Sequence, residues 1–281
     1  MNIFVNRYKQ MGETIAFVKV RRAIRVNTLK TSPEELQKRL EKKEVAIERI
    51  PFVKNGFWVK AKFNLVSTPE YLLGHFYFQD AAAQIPVEVL KPKALTLDCS
   101  AAPGGKTTQI AEYAPVIAVE NSAERFAALE NNIERLGVKN CVAYLMDVRD
   151  VDRKFDYILL DAPCSGNYML EEDWMQKNSL KRIEERSRRQ QELIAHALSL
   201  LNKDGVLVYS TCSLEPEEDE FVIQFALDNF PVKLEKIDCI GDQGLTRILG
   251  RQLDPSMKYC RRLWPHKTGT IGFFIARLRK C

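Results

Sequence analysis

The 281-residue sequence lacks any CxxC pair and any cluster of cysteine with histidine, although it contains seven cysteines. Structural zinc sites are usually built from such pairs, so we expect no metal site. Scattered cysteines in odd number indicate thiols that are mostly buried in a reducing cytoplasm, which is the location that we expect. The cysteines are Cys99, Cys141, Cys164, Cys212, Cys239, Cys260 and Cys281.

The sequence also lacks a run of about 18 apolar residues, the length that a membrane-spanning helix requires. Its first residues do not show the order of basic, apolar and small residues that is typical of a signal peptide. We therefore expect no membrane partner. Hydrophobic residues make up 46% of the chain and charged residues 28%, as in ordinary globular proteins.

Two nucleotide-binding motifs are incomplete or missing. In LDCSAAPGGKTTQ (residues 97–109), Gly105, Lys106 and Thr107 match the end of a phosphate-binding P-loop, but Ser100 stands where the first glycine belongs. The GxGxxG pattern of dinucleotide-binding folds is absent from the chain. A nucleoside triphosphatase and an NAD enzyme are therefore both disfavoured, and the glycine pair needs another explanation.

The net charge of +5 is small, but the basic residues are concentrated in two segments. These are KVRRAIR (residues 19–25) and KRIEERSRRQ (residues 181–190). Such segments either form solvated faces or bind nucleic-acid phosphates, and the sequence leaves both alternatives open. If these segments bind nucleic acid, we expect them to do so largely through its phosphates.

The predicted elements divide the chain into an N-terminal module, residues 1–75, and a larger domain, residues 76–281. The module begins with the strand-like RAIRVNTL. A helix follows with Ser32 as N-cap, Pro33 at its first position and Glu35 as the capping-box residue. Two further strand-like segments complete a small α+β module, for which we predict RNA binding.

Beyond residue 76 the strand candidates ALTLDCS, PVIAVE, CVAYLMD, FDYILLDAP and GVLVYSTCS alternate with amphipathic helices. This alternation predicts an α/β fold with a Rossmann-like, doubly wound and mostly parallel sheet. The last segment, TIGFFIARLRK, predicts a final strand that pairs antiparallel.

Acidic residues stand where successive strands end. In such sheets the ligand lies beyond the carboxyl ends of the strands, at the switch point. Glu120 lies at the distance from the glycine turn that suits a carboxylate binding both hydroxyls of a ribose, and Asp147 could accept from an adenine amino group. Gly104 and Gly105 would let the ligand approach the backbone beside a helix N-terminus, which favours a carboxylate. These features together predict S-adenosylmethionine, and a structural turn with surface acids is the alternative.

Two cysteines follow neighbouring strands of the predicted sheet, Cys164 in DAPCSG and Cys212 in STCS. A lone cysteine there is usually a small buried side chain, but two beside Asp161 suit methylation at carbon 5 of a pyrimidine. That carbon becomes nucleophilic only after a thiolate adds to carbon 6. Asp161 could hold ring nitrogen 3 and the exocyclic amino group, and the second thiol could assist release of the product.

These blocks carry a family resemblance. LDCSAAPGGKTT, DAPCSG, STCSLEPEEDE and RLWPHKTGTIGFFIARLRK resemble the motifs of the Sun-domain (RsmB-like) RNA cytosine-5 methyltransferases, over about residues 22–280. RVNTLK and FYFQDAAAQIP resemble that family's N-terminal strand and the entry into its catalytic core. The resemblance implies the class I methyltransferase fold, S-adenosylmethionine as cofactor, Cys212 of the TC motif as nucleophile and Cys164 of the PC motif in product release. In DNA cytosine methyltransferases the PC cysteine attacks, so the TC motif favours RNA.

The resemblance also implies a catalytic role for Asp161 and for Lys106, which would face the active-site carboxylates. One departure is that the family usually has cysteine where Ser100 stands. We expect it to alter packing beneath the loop and to leave the chemistry unchanged. The implied cofactor-binding residues are Ser100, Ala101, Ala102, Pro103, Gly104, Gly105, Lys106, Glu120, Arg125, Asp147 and Asp161.

We therefore predict a monomeric RNA cytosine-5 methyltransferase with tRNA as its substrate, because the chain resembles the family's short archaeal-type members. Ribosomal RNA is the alternative substrate, and a non-catalytic RNA-binding protein on the same fold is the alternative function. For His266 a role at the RNA-facing side of the pocket and a structural role are both open. We interpret His75 and His196 as packing residues and the aromatic residues 76–78 as core, with base stacking as the alternative.

Overall fold

The computed structural model describes residues 2–281. The described part of the chain contains ten α-helices and short 3₁₀ turns at Leu65–Ser67, Val148–Asp150 and Pro255–Tyr259. The helices are α1 (Ile3–Gln10), α2 (Pro33–Glu41), α3 (Pro69–Leu72), α4 (Ala81–Leu90), α5 (Gly105–Ala111), α6 (Ala123–Leu136), α7 (Trp174–Lys177), α8 (Leu180–Leu200), α9 (Glu220–Asn229) and α10 (Pro265–Thr268).

The strands form three sheets in residues 2–281. They are β1 (Ala23–Val26), β2 (Ala46–Arg49), β3 (Gly56–Lys60), β4 (Phe76–Phe78), β5 (Thr96–Asp98), β6 (Val116–Glu120), β7 (Cys141–Leu145), β8 (Phe155–Asp161), β9 (Leu201–Thr211), β10 (Val232–Leu234), β11 (Asp242–Gln243), β12 (Arg247–Ile248), β13 (Arg251–Gln252), β14 (Arg261–Leu263) and β15 (Phe273–Lys280). β12 and β13 pair only with each other.

The N-terminal sheet is antiparallel in the order β2-β3-β1-β4, with α2 packed on one face through Leu36 and Leu40. As predicted, Ser32 caps α2 by accepting a hydrogen bond from the Glu35 amide. β4 follows residue 75 and pairs with β1, while α1 packs against Trp174 of the larger domain. The two-domain division with its boundary at residue 75 stays a prediction.

The large sheet confirms the predicted α/β fold. Strands β9-β8-β5-β6-β7 are all parallel, and β15 pairs antiparallel with β9, as expected for the last segment. Successive residues of β8 point to opposite faces, with Ile158 and Leu160 in one apolar core and Leu159 in the other. α8 and α9 cover the first face, α4 and α5 the second, so the sheet is buried on both sides.

The strand order creates one switch point. The chain runs outward from β5 through β6 to β7 and then returns to the other side of β5 as β8 and β9. A crevice therefore opens beyond the carboxyl ends of β5 and β8, where the following loops diverge. Among residues 2–281, no helix has both the length and the apolar character needed to cross a membrane.

A buried ion cluster connects β14 to the loop after β9. The Arg262 guanidinium is fully buried; its Nε donates to Glu220 at 2.6 Å, and its Nη2 lies 3.3 Å from Asp219. Arg262 also donates to the Leu214 carbonyl at 3.0 Å. Two buried acidic side chains thus share one arginine as their counter-charge, and removing one partner of a buried ion pair is strongly destabilising.

Arg262→Met should lower the free energy of unfolding by about 3–5 kcal/mol, because it leaves both carboxylates without a counter-charge. Urea denaturation at neutral pH measures this loss. The matched control is Arg261→Met on the same strand, since Arg261 donates only to carbonyls and should cost less than about 1 kcal/mol. Equal losses in the two variants would contradict the importance of the buried cluster.

Candidate active site

Asp98, the last residue of β5, anchors the glycine loop between β5 and α5 through a hydrogen bond. The buried Asp98 carboxylate accepts from the Thr107 hydroxyl at 2.7 Å, which fixes the start of α5 against the end of β5. Gly104 has φ +104°, a conformation that favours glycine, and an added Cβ would lie 3.1 Å from Leu129 Cδ1. The loop can therefore turn tightly against α6 only with glycine at this position.

Two clefts meet at Ser100 beside this loop. The loop cleft lies between β4 and the glycine loop, and the acidic cleft lies over the ends of β6 and β7. The loop cleft is lined by Tyr77, Phe78, Gln79, Ala83, Ser100, Ala101, Ala102, Pro103, Gly105, Lys106 and Asp161. The acidic cleft is lined by Cys99, Ser100, Glu120, Asn121, Arg125, Met146, Asp147, Val148, Pro163, Arg189 and Leu193. Gly104 is the predicted cofactor residue that lies outside both linings.

Glu120 ends β6 as a buried carboxylate. It accepts from the Ser122 amide at 3.0 Å and the Ala102 amide at 3.4 Å, and it lies 3.4 Å from the Arg125 guanidinium. Arg125 also donates to the Ala102 carbonyl at 2.7 Å. These contacts fix the carboxylate at the cleft wall, where its remaining lone pairs suit a pair of hydroxyl groups.

Asp147 lies across the acidic cleft from this wall. Both of its oxygens accept from the Arg149 guanidinium, each at 2.9 Å, and it also accepts from the Arg149 amide. The hydrogen bonds from Arg149 hold the pKa of Asp147 well below its usual range. Asp147 therefore stays ionised and acts only as an acceptor, as an amino group would require.

The two strand-end cysteines meet at the switch point. The Sγ atoms of Cys164 and Cys212 are 3.2 Å apart, and both side chains are partly exposed. Asp161 lies beside them and accepts from Lys106 Nζ and from Ser210 Oγ, each at 2.7 Å. Burial opposes the charge of Lys106, but the ion pair with Asp161 outweighs it and raises the pKa of Lys106. The expected grouping of Cys164, Cys212, Asp161 and Lys106 is present.

A buried carboxylate that the sequence reasoning missed supports both cysteine loops. Glu218 accepts from the Ser165 amide at 2.9 Å and the Ser213 hydroxyl at 2.6 Å, so it joins the residues that follow Cys164 and Cys212. Burial raises the pKa of Glu218. Glu218 belongs to the acidic run after the TC motif, residues 215–220. From sequence alone, such a run is typical of solvent-exposed charged residues, so it gave no indication that Glu218 is buried.

Two more supporting residues also escaped the sequence reasoning. Asn167 donates to the Cys212 carbonyl at 2.7 Å and to the Gly272 carbonyl at 3.1 Å. Arg186 donates to the Cys164 carbonyl from α8. Nothing in the sequence pattern distinguishes these side chains from ordinary loop and helix residues, because their partners are far away along the chain.

The arginines of the two basic segments differ in their burial and in their contacts. In residues 181–190, Arg186 is tied to the Cys164 carbonyl and Arg189 lines the acidic cleft, while Arg188 is exposed. In residues 19–25, Arg25 is fully buried, whereas Arg21 and Arg22 are exposed. Neither segment is therefore a uniform phosphate-binding face.

The remaining candidates have structural partners. His266 Nε2 lies 3.1 Å from a Glu13 oxygen, and His196 Nε2 lies 3.1 Å from the Val151 carbonyl. Burial lowers the pKa of His75. Phe76 lies in the N-terminal core, while Tyr77 and Phe78 line the loop cleft. Within residues 2–281, no three histidine, cysteine or acidic side chains are grouped so that they could hold a metal ion.

The chain is similar to known protein families and to curated sequences. Residues 87–279 match the 16S rRNA methyltransferase RsmB/F family, and residues 3–81 match the N-terminal domain of 16S rRNA methyltransferase RsmF. The chain is 39% identical over 277 residues to 25S rRNA (cytosine-C(5))-methyltransferase nop2 of Schizosaccharomyces pombe, covering 92% of this chain and 46% of that protein. It is 37% identical over 283 residues to ribosomal RNA small subunit methyltransferase F of Psychromonas ingrahamii, covering 93% and 57%. The chain thus spans about half the length of these curated relatives.

Two solved structures from Pyrococcus horikoshii are similar over nearly their whole length. A methyltransferase homolog protein superposes with a TM-score of 0.88 at 37% identity, covering 99% of this chain and 95% of that one. NSun6, solved with SFG, superposes with a TM-score of 0.83 at 29% identity, covering 94% and 91%.

The buried Asp98 generates a pH-dependence prediction. Burial, against the opposing hydrogen bond from Thr107, raises the pKa of Asp98 to about 6. A carboxyl whose pKa rises on folding binds its proton more tightly in the folded state, so its contribution to stability falls as the pH rises from about 4 through about 6. Over that range the loss is about 3 kcal/mol. Asp98→Asn should remove that part of the pH dependence.

Urea denaturation of wild type and Asp98→Asn at several values between pH 4 and pH 7 measures the difference. The free energy of unfolding of the variant should fall less steeply with pH than that of wild type. Asp152→Asn, at an exposed position in the same domain, should follow the wild-type curve. Parallel curves for wild type and Asp98→Asn would show that Asp98 does not titrate in this window.

Proposed function

The chain belongs to the RsmB/F family of S-adenosylmethionine-dependent RNA cytosine-C5 methyltransferases, and we propose that it transfers a methyl group to carbon 5 of a cytosine in RNA. The observation that carries the proposal is the pair of thiols 3.2 Å apart beside Asp161 and Lys106. An intact pair of this kind disfavours the alternative of a non-catalytic RNA-binding protein. The cytoplasmic location and monomeric state expected from the sequence remain proposals.

The residues of the acidic cleft fit S-adenosylmethionine. Glu120 is fixed at the wall with acceptor capacity for the two ribose hydroxyls, and Asp147 is an obligate acceptor for an adenine amino group. Ser100 joins this cleft to the loop cleft, where an amino-acid tail would extend along the glycine loop. The bound cofactor supplies an electrophilic methyl group.

We assign the nucleophile to Cys212. This assignment rests on the family resemblance, in which the cysteine of the TC motif attacks; the hydrogen bond with Cys212, together with burial, raises the pKa of the neighbouring Cys164. A protonated neighbour can stabilise the Cys212 thiolate by donating to its sulfur. The thiolate adds to carbon 6 of the cytosine, and carbon 5 then takes the methyl group.

Release requires two further events. The proton on carbon 5 must be removed, and the bond between carbon 6 and the Cys212 sulfur must break so that the ring regains its double bond. Cys164 lies close enough to assist this step: its thiol can protonate the departing Cys212 sulfur, and the Cys164 thiolate formed in this way can take up the carbon-5 proton directly or through a water molecule. Asp161, held by Lys106 and Ser210, is placed to accept a hydrogen bond from the exocyclic amino group and, once ring nitrogen 3 takes up a proton, from that N–H as charge develops on the ring.

For the RNA class, we propose tRNA on the resemblance to the family's short archaeal-type members. Ribosomal RNA is the second candidate, since the curated relatives are named as rRNA methyltransferases. Methylation of separate pools of tRNA and rRNA by the purified protein, followed by bisulfite sequencing, distinguishes the two. Conversion-resistant cytosines confined to the rRNA pool would reject tRNA as the substrate.

We propose that a basic and aromatic track on the N-terminal sheet guides RNA to the loop cleft. The Arg21 guanidinium lies 4.0 Å above the Trp58 ring and that of Arg22 lies 4.0 Å above the Phe78 ring. Trp58 and Phe78 pair with successive residues of β1, so the two arginine–ring pairs lie on opposite faces at the start of that strand, and the Arg22–Phe78 pair adjoins the loop cleft. Exposed arginines suit phosphates and the rings beside them suit bases, and at Arg21 a phosphate would replace the exposed Glu48 carboxylate, which now accepts from the guanidinium.

The roles of the two cysteines make one prediction. Cys212→Ser should abolish methylation and keep cofactor binding, because a hydroxyl is too weakly acidic to add to the ring. Cys164→Ala should still attack and transfer the methyl group but release the product slowly, so that a covalent enzyme–RNA adduct accumulates. Denaturing gels with labelled RNA separate this adduct from free RNA.

The double variant Cys164→Ala/Cys212→Ser is the control and should form no adduct. An adduct that appears only when Cys212 is replaced would exchange the two roles. If wild type methylates neither RNA pool and forms no adduct with either, the non-catalytic RNA-binding function replaces the proposal.

The track makes a second prediction. Arg21→Gln/Arg22→Gln should weaken RNA binding and reduce the slope of log affinity against log salt concentration by about 1.4, because each phosphate of single-stranded RNA that an arginine neutralises adds about 0.7 to that slope. Lys38→Gln/Arg39→Gln removes the same charge from exposed positions on α2, outside the track, and should leave the slope unchanged. Equal changes in both double variants would indicate a general charge effect and no track.

A further inference from the structure

RVNTLK (residues 25–30) lies in the N-terminal sheet and the turn after it, yet its polar side chains reach into the larger domain. The Arg25 side chain is 2% exposed and crosses from β1 to the glycine loop. Its Nη1 donates to the Gly105 carbonyl and, at 2.7 Å, to Gln79 Oε1. Its Nη2 donates to Thr108 Oγ1 at 2.8 Å. One guanidinium thus binds both the backbone and a side chain at the start of α5.

A buried carboxylate fixes the orientation of this guanidinium. Arg25 Nε lies 3.1 Å from Glu112 Oε1, and both side chains are almost fully buried. The other Glu112 oxygen accepts from the Thr28 hydroxyl at 2.5 Å. Burial lowers the pKa of Arg25 and the charge of Glu112 opposes that effect. The planar fork of arginine donates to Gly105, Gln79 and Thr108 while its Nε faces the Glu112 carboxylate, an arrangement that a lysine cannot reproduce.

The contacts of Arg25 set the position of the cleft wall. Gly105 and Lys106 both line the loop cleft, and the peptide that joins them is planar, so fixing its carbonyl fixes its plane. Thr108, the second partner of Arg25, donates to the Gly104 carbonyl at 2.7 Å. Two successive carbonyls of the loop are therefore held by one connected set of hydrogen bonds that begins in the N-terminal sheet.

We propose that Arg25 is a positioning residue for the cofactor loop, so that the N-terminal module contributes to S-adenosylmethionine binding without touching the cofactor. This inference rests on the proposed function. It gives the module a task apart from RNA binding, because the contact from Arg25 to Gly105 exists without RNA.

Arg25→Lys keeps the charge and removes the planar fork. Its dissociation constant for S-adenosylmethionine, measured by titration calorimetry, should rise at least tenfold. Its affinity for RNA, measured by fluorescence anisotropy without cofactor, should stay within twofold of wild type. A weakening of both affinities by similar factors would overturn the proposal, because it would indicate general damage. Unchanged cofactor affinity would overturn it as well.

Lys30→Met is the matched control. Lys30 also joins the module to the larger domain, but its Nζ donates to the carbonyls of Leu73 and Arg135, away from the glycine loop. Its replacement should leave cofactor affinity unchanged. A decrease equal to that of Arg25→Lys would show that any weakening of the interface has this effect, and the specific role of Arg25 would be rejected.

Thr108→Val tests the same connection from the loop and decides the matter if Arg25→Lys fails to fold. It should weaken cofactor binding by about threefold, and unchanged affinity would overturn the proposal. Where both variants fold, the double variant should bind no more weakly than Arg25→Lys alone, since the two side chains act through one contact. Additive effects would contradict this. If wild type binds no S-adenosylmethionine, the proposed function fails; if it does and the variants match it, only this inference fails.

Discussion

The parallel pairing of β8 with β9 places Asp161 directly beside Ser210, and the geometry of the candidate site follows from that register. Cys164 lies three residues beyond Asp161 and Cys212 two residues beyond Ser210, so both loops leave the sheet at the same edge. A shift of one residue would turn Asp161 to the opposite face and break its contacts with Ser210 and Lys106. The two sulfur atoms are therefore close mainly because of the register between β8 and β9, and the loop conformations then set their final distance.

Strand pairing alone would leave two short loops free to separate, and buried polar groups prevent this. Glu218 joins the backbone after Cys164 to the hydroxyl after Cys212, and Asn167 holds the Cys212 carbonyl. Separation of the loops would break the hydrogen bonds to Glu218 and leave a buried carboxyl group without partners. Burying such a group without hydrogen bonds is energetically unfavourable, so Glu218 keeps the two loops together. The position of the two thiols therefore depends on the particular hydrogen bonds made by Glu218 and Asn167.

The sequence was sufficient for the parallel sheet, the antiparallel last strand and the grouping of acids and cysteines at one edge. These follow from local periodicity and from the rule that parallel strands end together. Glu218, Asn167 and Arg186 could not be found in this way, because each is defined by a partner distant in the chain. The segment KVRRAIR shows the same limit, since burial of Arg25 among surface-like neighbours depends on a contact with α5 that no local pattern encodes.

Arg25 joins the N-terminal sheet to the glycine loop of the larger domain. Arg21 and Arg22, on the track that we propose for RNA, immediately precede β1, and Arg25 lies within β1 with its side chain on the glycine loop. β1 and the two residues before it therefore join the proposed RNA track to the contact with the glycine loop within one short backbone segment. Under the two proposals, a displacement of this segment by bound RNA would also move the Gly105 carbonyl, and RNA binding would be coupled to cofactor binding through it.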